Sequence, residues 1–271
     1  MRITKFLFLI LAISFLFSVN SICMAQAHGG IDYVKGIVTA VGIGAPNPNM
    51  PVAVQRPAAI RAAKADAFRN LLETAKGVQV NAETTVENYM LTSDFIHTQV
   101  EGIVQGFTVT DTKYMSDGTV EVTVEMPLVG DFADVILDEE MGGHQPLPAP
   151  SEGSPMQGQV FSGLIIDARG LGIQPAMAPK VLNDAGSEVY GTGYVSREYA
   201  VQMGVVGYTK NIDQAKADER TGDNPFTVKG IRAEGPNKTD VVILDSDAGV
   251  LHGMAENLNF LEQAKVMIVI D

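Results

Sequence analysis

The sequence holds one cysteine, Cys23, among 271 residues, and it lies in a segment that reads as an export signal. With that segment removed no thiol remains, so disulfides and thiolate metal sites are excluded from the mature chain. Long apolar runs are equally scarce. Phe6 to Val19 is the one candidate, and at about 14 residues it falls short of the roughly 20 that span a bilayer. Basic residues are few: 19 Lys plus Arg stand against 32 Asp plus Glu, a formal net charge of −13. Such a surface repels phosphate backbones, so nucleic acid is not an expected partner, and the acidity is read as keeping a secreted protein soluble. His28, His97, His144 and His252 show no two-ligand spacing on one element, and no serine sits in a G-x-S-x-G elbow. No metal site and no cofactor is expected.

What is present begins with that signal. Arg2 and Lys5 supply a positive start, the run to Val19 an apolar core, and Ala25-Gln26-Ala27 a small-residue cleavage site. Lipid attachment at Cys23 would want a small residue immediately before it, and Ile22 stands there. The expected product is therefore an unmodified mature chain that starts at His28, has no transmembrane span and resides in the periplasm.

Arg56 to Val80 organises the region that follows. Ile60, Ala63, Ala67, Leu71 and Ala75 recur three or four residues apart, with Arg61, Asp66, Arg69, Glu73 and Lys76 between them on the solvated side. That spacing predicts an amphipathic helix, with Pro57 in its first turn and Gly77 as a left-handed stop. A stripe so rich in alanine calls for a close neighbour, which a sheet provides. Tyr33 to Ile43 reads as a strand before the helix, and Val78 to Val86 as a second one after it. Ser93 and Asp94 cap a short helix with Phe95, Ile96, Val100 and Ile103 inward. Phe107 to Tyr114 and Thr119 to Met126 alternate around Ser116-Asp117-Gly118, which is hairpin chemistry. Leu128 to Glu140 reads as one more short helix.

Residues 141–159 hold four prolines and four glycines and read as a linker. Beyond it, Val160 to Ile166 reads as a strand, and 180–182 with 188–190 as a hairpin about Asn183 to Gly186. Phe226 to Ala233 and Val241 to Leu244 are further strands. Ser246-Asp247 is the expected cap of a helix with Val250, Leu251, Met254, Leu258 and Leu261 on one face, and Val266 to Ile270 is a last strand. Gly191 to Gly222 carries no clear period. The division is thus 1–27 signal, 28–140 first domain, 141–159 linker and 160–271 second domain. The fold class is α+β: a mixed sheet packed by an Ala-rich helix and a second short helix, then a sheet with a C-terminal helix and final strand.

Three apolar runs end in aspartate, at Asp167, Asp245 and Asp271. Asp245-Ser246-Asp247 after a strand looks like the nucleophile motif of haloacid-dehalogenase-type phosphotransferases, one carboxylate attacking phosphorus and the other handling the proton. Only 24 residues follow Asp247, which leaves no room for the rest of such a site, so a turn and helix cap is the preferred reading. Gly42-x-Gly44 follows a strand but lacks the next glycine of a dinucleotide loop, and Pro46 interrupts the approach to the helix. The loop with Asp167, Arg169, Gly170 and Gly172 combines an ion pair with two glycines where backbone can approach another chain. It is the candidate loop for binding a partner chain or an anion, but a buried pair that merely pins the loop is the preferred reading.

The succession of Gly42-x-Gly44, the Pro-containing loop, Arg61 to Leu72, Gly77-Val78, Gly106 and the Asp117-Gly118 hairpin closing on Val124 to Leu128 resembles the bacterial Lpp-twenty-like lipoprotein domain. It is similar also to the N-terminal part of flagellar assembly protein T. The resemblance covers about residues 33–130. It implies a non-enzymatic cell-envelope protein with a structural or assembly role, whose partners are envelope or flagellar ring proteins or further copies of the chain. The alternatives are a periplasmic phosphate-transfer enzyme using Asp245 and Asp247, and a small-ligand or peptidoglycan-binding module.

Overall fold

The computed structural model describes residues 29–137, 160–253 and 255–271. The expected signal with Cys23 and Ala27, the 141–159 linker and Met254 lie outside them. Helices and sheets are both present, and the class is α+β as the patterning requires.

In chain order the first part holds β1 (Gly29–Asp32), β2 (Ile37–Gly44), α1 (Val52–Lys76), α2 (Val86–Thr92), α3 (Asp94–Gln105), β3 (Thr108–Tyr114), β4 (Val120–Pro127) and α4 (Asp131–Ile136). The strands form one sheet in the order β1-β2-β4-β3, antiparallel at every pairing. The sheet is therefore not mixed. The strand expected at Val78 to Val86 does not join it, because Asn81 Oδ1 accepts from the amides of Glu83 and Thr84 and turns the chain there. Only a single bridge, Gln79 to Thr85, survives. Thr85 then donates its amide and hydroxyl to Asn88 Oδ1 and starts α2 instead.

α1 begins at Val52, so Pro57 lies inside it rather than at its start. The proline forfeits the one bond to the Ala53 carbonyl, a modest loss so near the end. Gly77 stops the helix at φ −75°, not in the left-handed region. Ala59, Ala63, Ala67, Leu71 and Ala75 are fully buried, every fourth residue, and Ile60 is half-buried. They lie on β2 and β4, with Val38, Ala40, Val120, Val122 and Val124 beneath. A Cβ on Gly42 would overlap Ala67 backbone, 2.6 Å from its Cα, and one on Gly44 would meet the Ala63 amide nitrogen at 2.5 Å and the Ala59 carbonyl. The glycine pair thus serves close packing of the helix. In α3, Ser93 Oγ accepts from the Ile96 amide as expected, and Val100 and Val104 are buried. Phe95, expected inward, is 70 % exposed, since it sits on the first turn away from that stripe.

The side of β2 that β1 leaves open beyond Ala40 is capped by α1. Asp66 Oδ2 accepts from the Ile43 amide at 2.9 Å, and Asn70 Nδ2 donates to the Val41 carbonyl at 2.7 Å. Asp66 is therefore not a bystander on the solvated side. Asp66→Ala is expected to lower stability by about 1 kcal/mol, and Ala67→Leu by about 1–3 kcal/mol through overpacking, both read from chemical denaturation.

The second part holds β5 (Gly163–Asp167), β6 (Val181–Leu182), β7 (Glu188–Tyr190), α5 (Arg197–Met203), β8 (Gly207–Thr209), α6 (Ile212–Ala217), β9 (Pro225–Lys229), β10 (Arg232–Glu234), β11 (Asp240–Val242), α7 (Asp245–His252), α8 (Ala255–Glu262) and β12 (Val266–Val269). β8-β12-β5-β9 form a parallel sheet, and β10-β11-β6-β7 a second, mixed one. The run expected as one strand from Phe226 to Ala233 is broken at Gly230, whose amide donates to the Asp167 carbonyl. A Cβ there would meet Leu171 and Val241 side chains at 2.9 Å, so the chain bends and feeds each half to a different sheet. Ser246-Asp247 is not the cap either: α7 starts at Asp245, with Leu244 at its N-cap. Val250, Leu251 and Leu261 are buried as predicted.

The two parts share one hydrophobic core. Met177 and Ala178 amides donate to the Gln79 and Val80 carbonyls at 2.9 and 2.7 Å, the Gly130 amide to Val201 at 2.7 Å, and Arg197 to Asp134 at 2.5 Å. Tyr33 and Tyr208 meet edge to face at 6.1 Å. Burial pushes the Tyr33 phenol up to about 12, so it stays protonated and accepts from the Gln79 amide at 2.8 Å.

His252 is buried on α7 with Nε2 2.9 Å from the Val189 carbonyl and its ring against Tyr194. A carbonyl only accepts, so Nε2 carries the proton of a neutral ring. Burial pulls its pKa below the ordinary value. The folded state therefore binds the second proton, at Nδ1, less readily than the unfolded chain: the stability is present above the unfolded value of about 6.5 and is lost as pH falls through the folded one. Between about pH 7 and pH 5 the melting temperature should fall more steeply for the native chain than for His252→Gln.

Candidate functional site

The parallel sheet gathers strand ends at its carboxyl edge, where loops leave a rigid scaffold and ligands or partners are commonly met. β5 ends at Asp167, β12 runs out to Asp271, β8 leads to Lys210 and β9 ends at Lys229. Asp167 Oδ1 and Oδ2 accept from Arg169 Nε at 2.8 Å and Nη2 at 2.7 Å, a two-pronged pair. The hydrogen bonds from Arg169 hold the Asp167 carboxyl below the usual carboxylate range. The pair is not buried: the side chains are 44 % and 23 % exposed for Arg169 and Asp167. It shapes the loop at the surface, where such pairs contribute about 0–1 kcal/mol.

Gly170 and Gly172 have φ of +80° and +68°, a region that favours glycine, and open space lies where their side chains would be. The Gly170 amide donates to the Asp271 carboxylate at 2.9 and 3.1 Å, and Lys210 Nζ donates to the Asp271 carbonyl at 2.8 Å. The loop is thus anchored at Asp167, at Gly170 and, through Ala168, on Val269. The four residues singled out in the sequence lie together on one open, polar edge. Two of the three strand-terminal aspartates, Asp167 and Asp271, meet there, and Lys210 and Lys229 complete it. Those lysines carry no local sequence signal, since their roles depend on which strands become neighbours.

Asp245 lies elsewhere, at the first turn of α7. Its Oδ1 accepts from the Asp184 amide at 3.1 Å, and Asp184 in turn faces Arg232 at 3.4 Å. Asp247, two residues on, points to another side of the helix, and burial raises its carboxyl above the usual range. The two carboxylates do not converge. Among the described residues no three His, Cys, Asp or Glu side chains gather as a metal site, and no helix is long and apolar enough to cross a membrane.

Two stretches of the chain match known families. No curated protein matches the sequence. Residues 163–271 match the family model of the second domain of Treponema pallidum Tp0624, which covers the parallel sheet and its open edge. Residues 33–126 match the LPP20 lipoprotein family, as the glycine pair, alanine-striped helix and closing hairpin imply, so the chain joins an LPP20-like part to a part similar to that Treponema domain.

Proposed function

We propose that the protein is an exported, non-enzymatic component of the cell envelope that works by protein contacts made at the Asp167–Gly172 loop. The lipoprotein-family match of residues 33–126 supports the envelope setting. The observation that carries the contact reading is the loop itself: a segment with two left-handed glycines, fixed at several points and open to solvent. A rigid exposed loop loses little entropy when it docks. The resemblance to flagellar assembly protein T supports a finer reading, in which the partners belong to a ring around the flagellar basal body.

The rival chemistry at Asp245 and Asp247 lacks convergence, since Asp245 is engaged with the Asp184 amide and Asp247 faces away. The mature chain, offered phosphate monoesters with Mg²⁺, is expected to show no turnover. Turnover that disappears in Asp245→Asn would overturn the proposal.

A further inference from the structure

At the opposite end of the parallel sheet, where the two parts meet, lies a cleft of about 330 Å³. That is at the lower end of the size of small-molecule sites, which favour such interfaces. Its walls are apolar, with Val34, Leu128 and Val206 beside Met177, Met203 and Met267; methionine adapts to ligands of varied shape. The floor is cationic. Arg220 donates to the carbonyls of Gly204 at 3.3 Å, Ala264 at 3.2 Å and Met203, all through its two terminal nitrogens, while Nε is given no partner by these contacts. Among the described residues no carboxylate lies within ion-pair distance of it. Asp218, the one carboxylate lining the cleft, is engaged with the Arg220 backbone amide at 2.9 Å. Lys35 stands at the rim, 72 % exposed and 3.7 Å from Asp32.

Gly207 explains why that nitrogen is uncovered. Its φ is not left-handed, so the backbone does not demand glycine. A Cβ would stand 3.2 Å from Arg220 Nε and 2.9 Å from the Met267 sulfur. Absence of that one carbon leaves a polar spot and an apolar wall side by side.

The geometry points to this cleft as a binding site for a small amphiphile: a medium-length acyl chain against the methionines, with its carboxylate at Arg220 Nε. Lys35 at the rim is balanced by Asp32, so the charge that selects the anionic head is that of Arg220, and the apolar walls select the tail. The site is separate from the Asp167–Gly172 loop, so its fate is independent of the contact reading.

Decanoate is the probe, with decanol as its neutral counterpart, titrated calorimetrically into the mature chain. Saturable one-to-one binding of decanoate is expected, with decanol at least about tenfold weaker because it lacks the charge. In methyl-labelled methionine spectra the Met177, Met203 and Met267 signals should move. Val34→Glu, at a position 43 % exposed, leaves the fold intact and sets a carboxylate at the mouth; it should weaken decanoate by about tenfold or more and decanol little. Gly207→Ala should cover Nε and act in the same direction. No saturable binding, shifts confined to the exposed Met50 and Met115, or unchanged decanoate affinity in a folded Val34→Glu would each overturn the site.

Discussion

Gly44→Ala is expected to destabilise the protein by about 4 kcal/mol or more, a loss large against the 5–15 kcal/mol that holds an ordinary domain together. The added carbon would meet backbone, the Ala59 carbonyl and the Ala63 amide, and backbone cannot rotate aside as a side chain can. Either α1 lifts from β2, which opens the Ala59, Ala63 and Ala67 stripe, or the strand is pushed out of register. Gly42→Ala should behave alike, because its neighbours are the Ala63 carbonyl and Ala67 backbone. Gly102 is the control. It lies in α3 with nothing near its missing side chain, so Gly102→Ala should be neutral or stabilising by up to about 1 kcal/mol. Urea denaturation of the three variants reads all of this, and equal effects at Gly44 and Gly102 would refute the close helix–sheet contact.

Ile268→Ala should cost about 3 kcal/mol, within the 2–5 kcal/mol spread of such truncations. Although β12 is the last strand in the chain, it lies inside the parallel sheet, between β5 and β8, with Ile268 opposite Ile166 and Tyr208. The side chain is fully buried. Removing three carbons leaves a cavity on a strand held by pairing on both sides, which cannot shift to fill it. Thr227→Ala, on an exposed position of the edge strand β9, should change stability by less than about 0.5 kcal/mol. A melt in which the two variants match would contradict the inner placement of β12.

What the sequence makes legible is what its local periods encode. The alanine stripe repeats every fourth residue over four turns, so α1 is visible in it, and Asp117-Gly118 between two alternating runs is visible as the β3–β4 hairpin. Gly42-x-Gly44 can be rejected as a dinucleotide loop from sequence, yet its purpose emerges only with Ala59, Ala63 and Ala67 overhead. The stretch from Gly191 to Gly222 is illegible because α5, β8 and α6 are three to seven residues long, too short for a period to show. Gly230 reads as a residue within one strand, whereas the contacts that bend the chain there come from Leu171 and Val241. The Asp167–Gly172 loop announces itself by composition, but its anchor, Asp271, is 101 residues away. Asp66 misleads for the same reason: its helical phase is outward, and the amide it caps belongs to a strand 23 residues earlier.

The most direct test of the contact reading is complementation of a deletion strain by Arg169→Glu and Asp245→Asn, with folding checked by thermal melts. Arg169→Glu breaks an exposed pair, which costs at most about 1 kcal/mol, and reverses the charge of the loop. Asp245→Asn keeps an oxygen able to accept from the Asp184 amide. The account predicts two folded proteins, of which Asp245→Asn restores function and Arg169→Glu does not. A folded but inactive Asp245→Asn beside a fully active Arg169→Glu would contradict it.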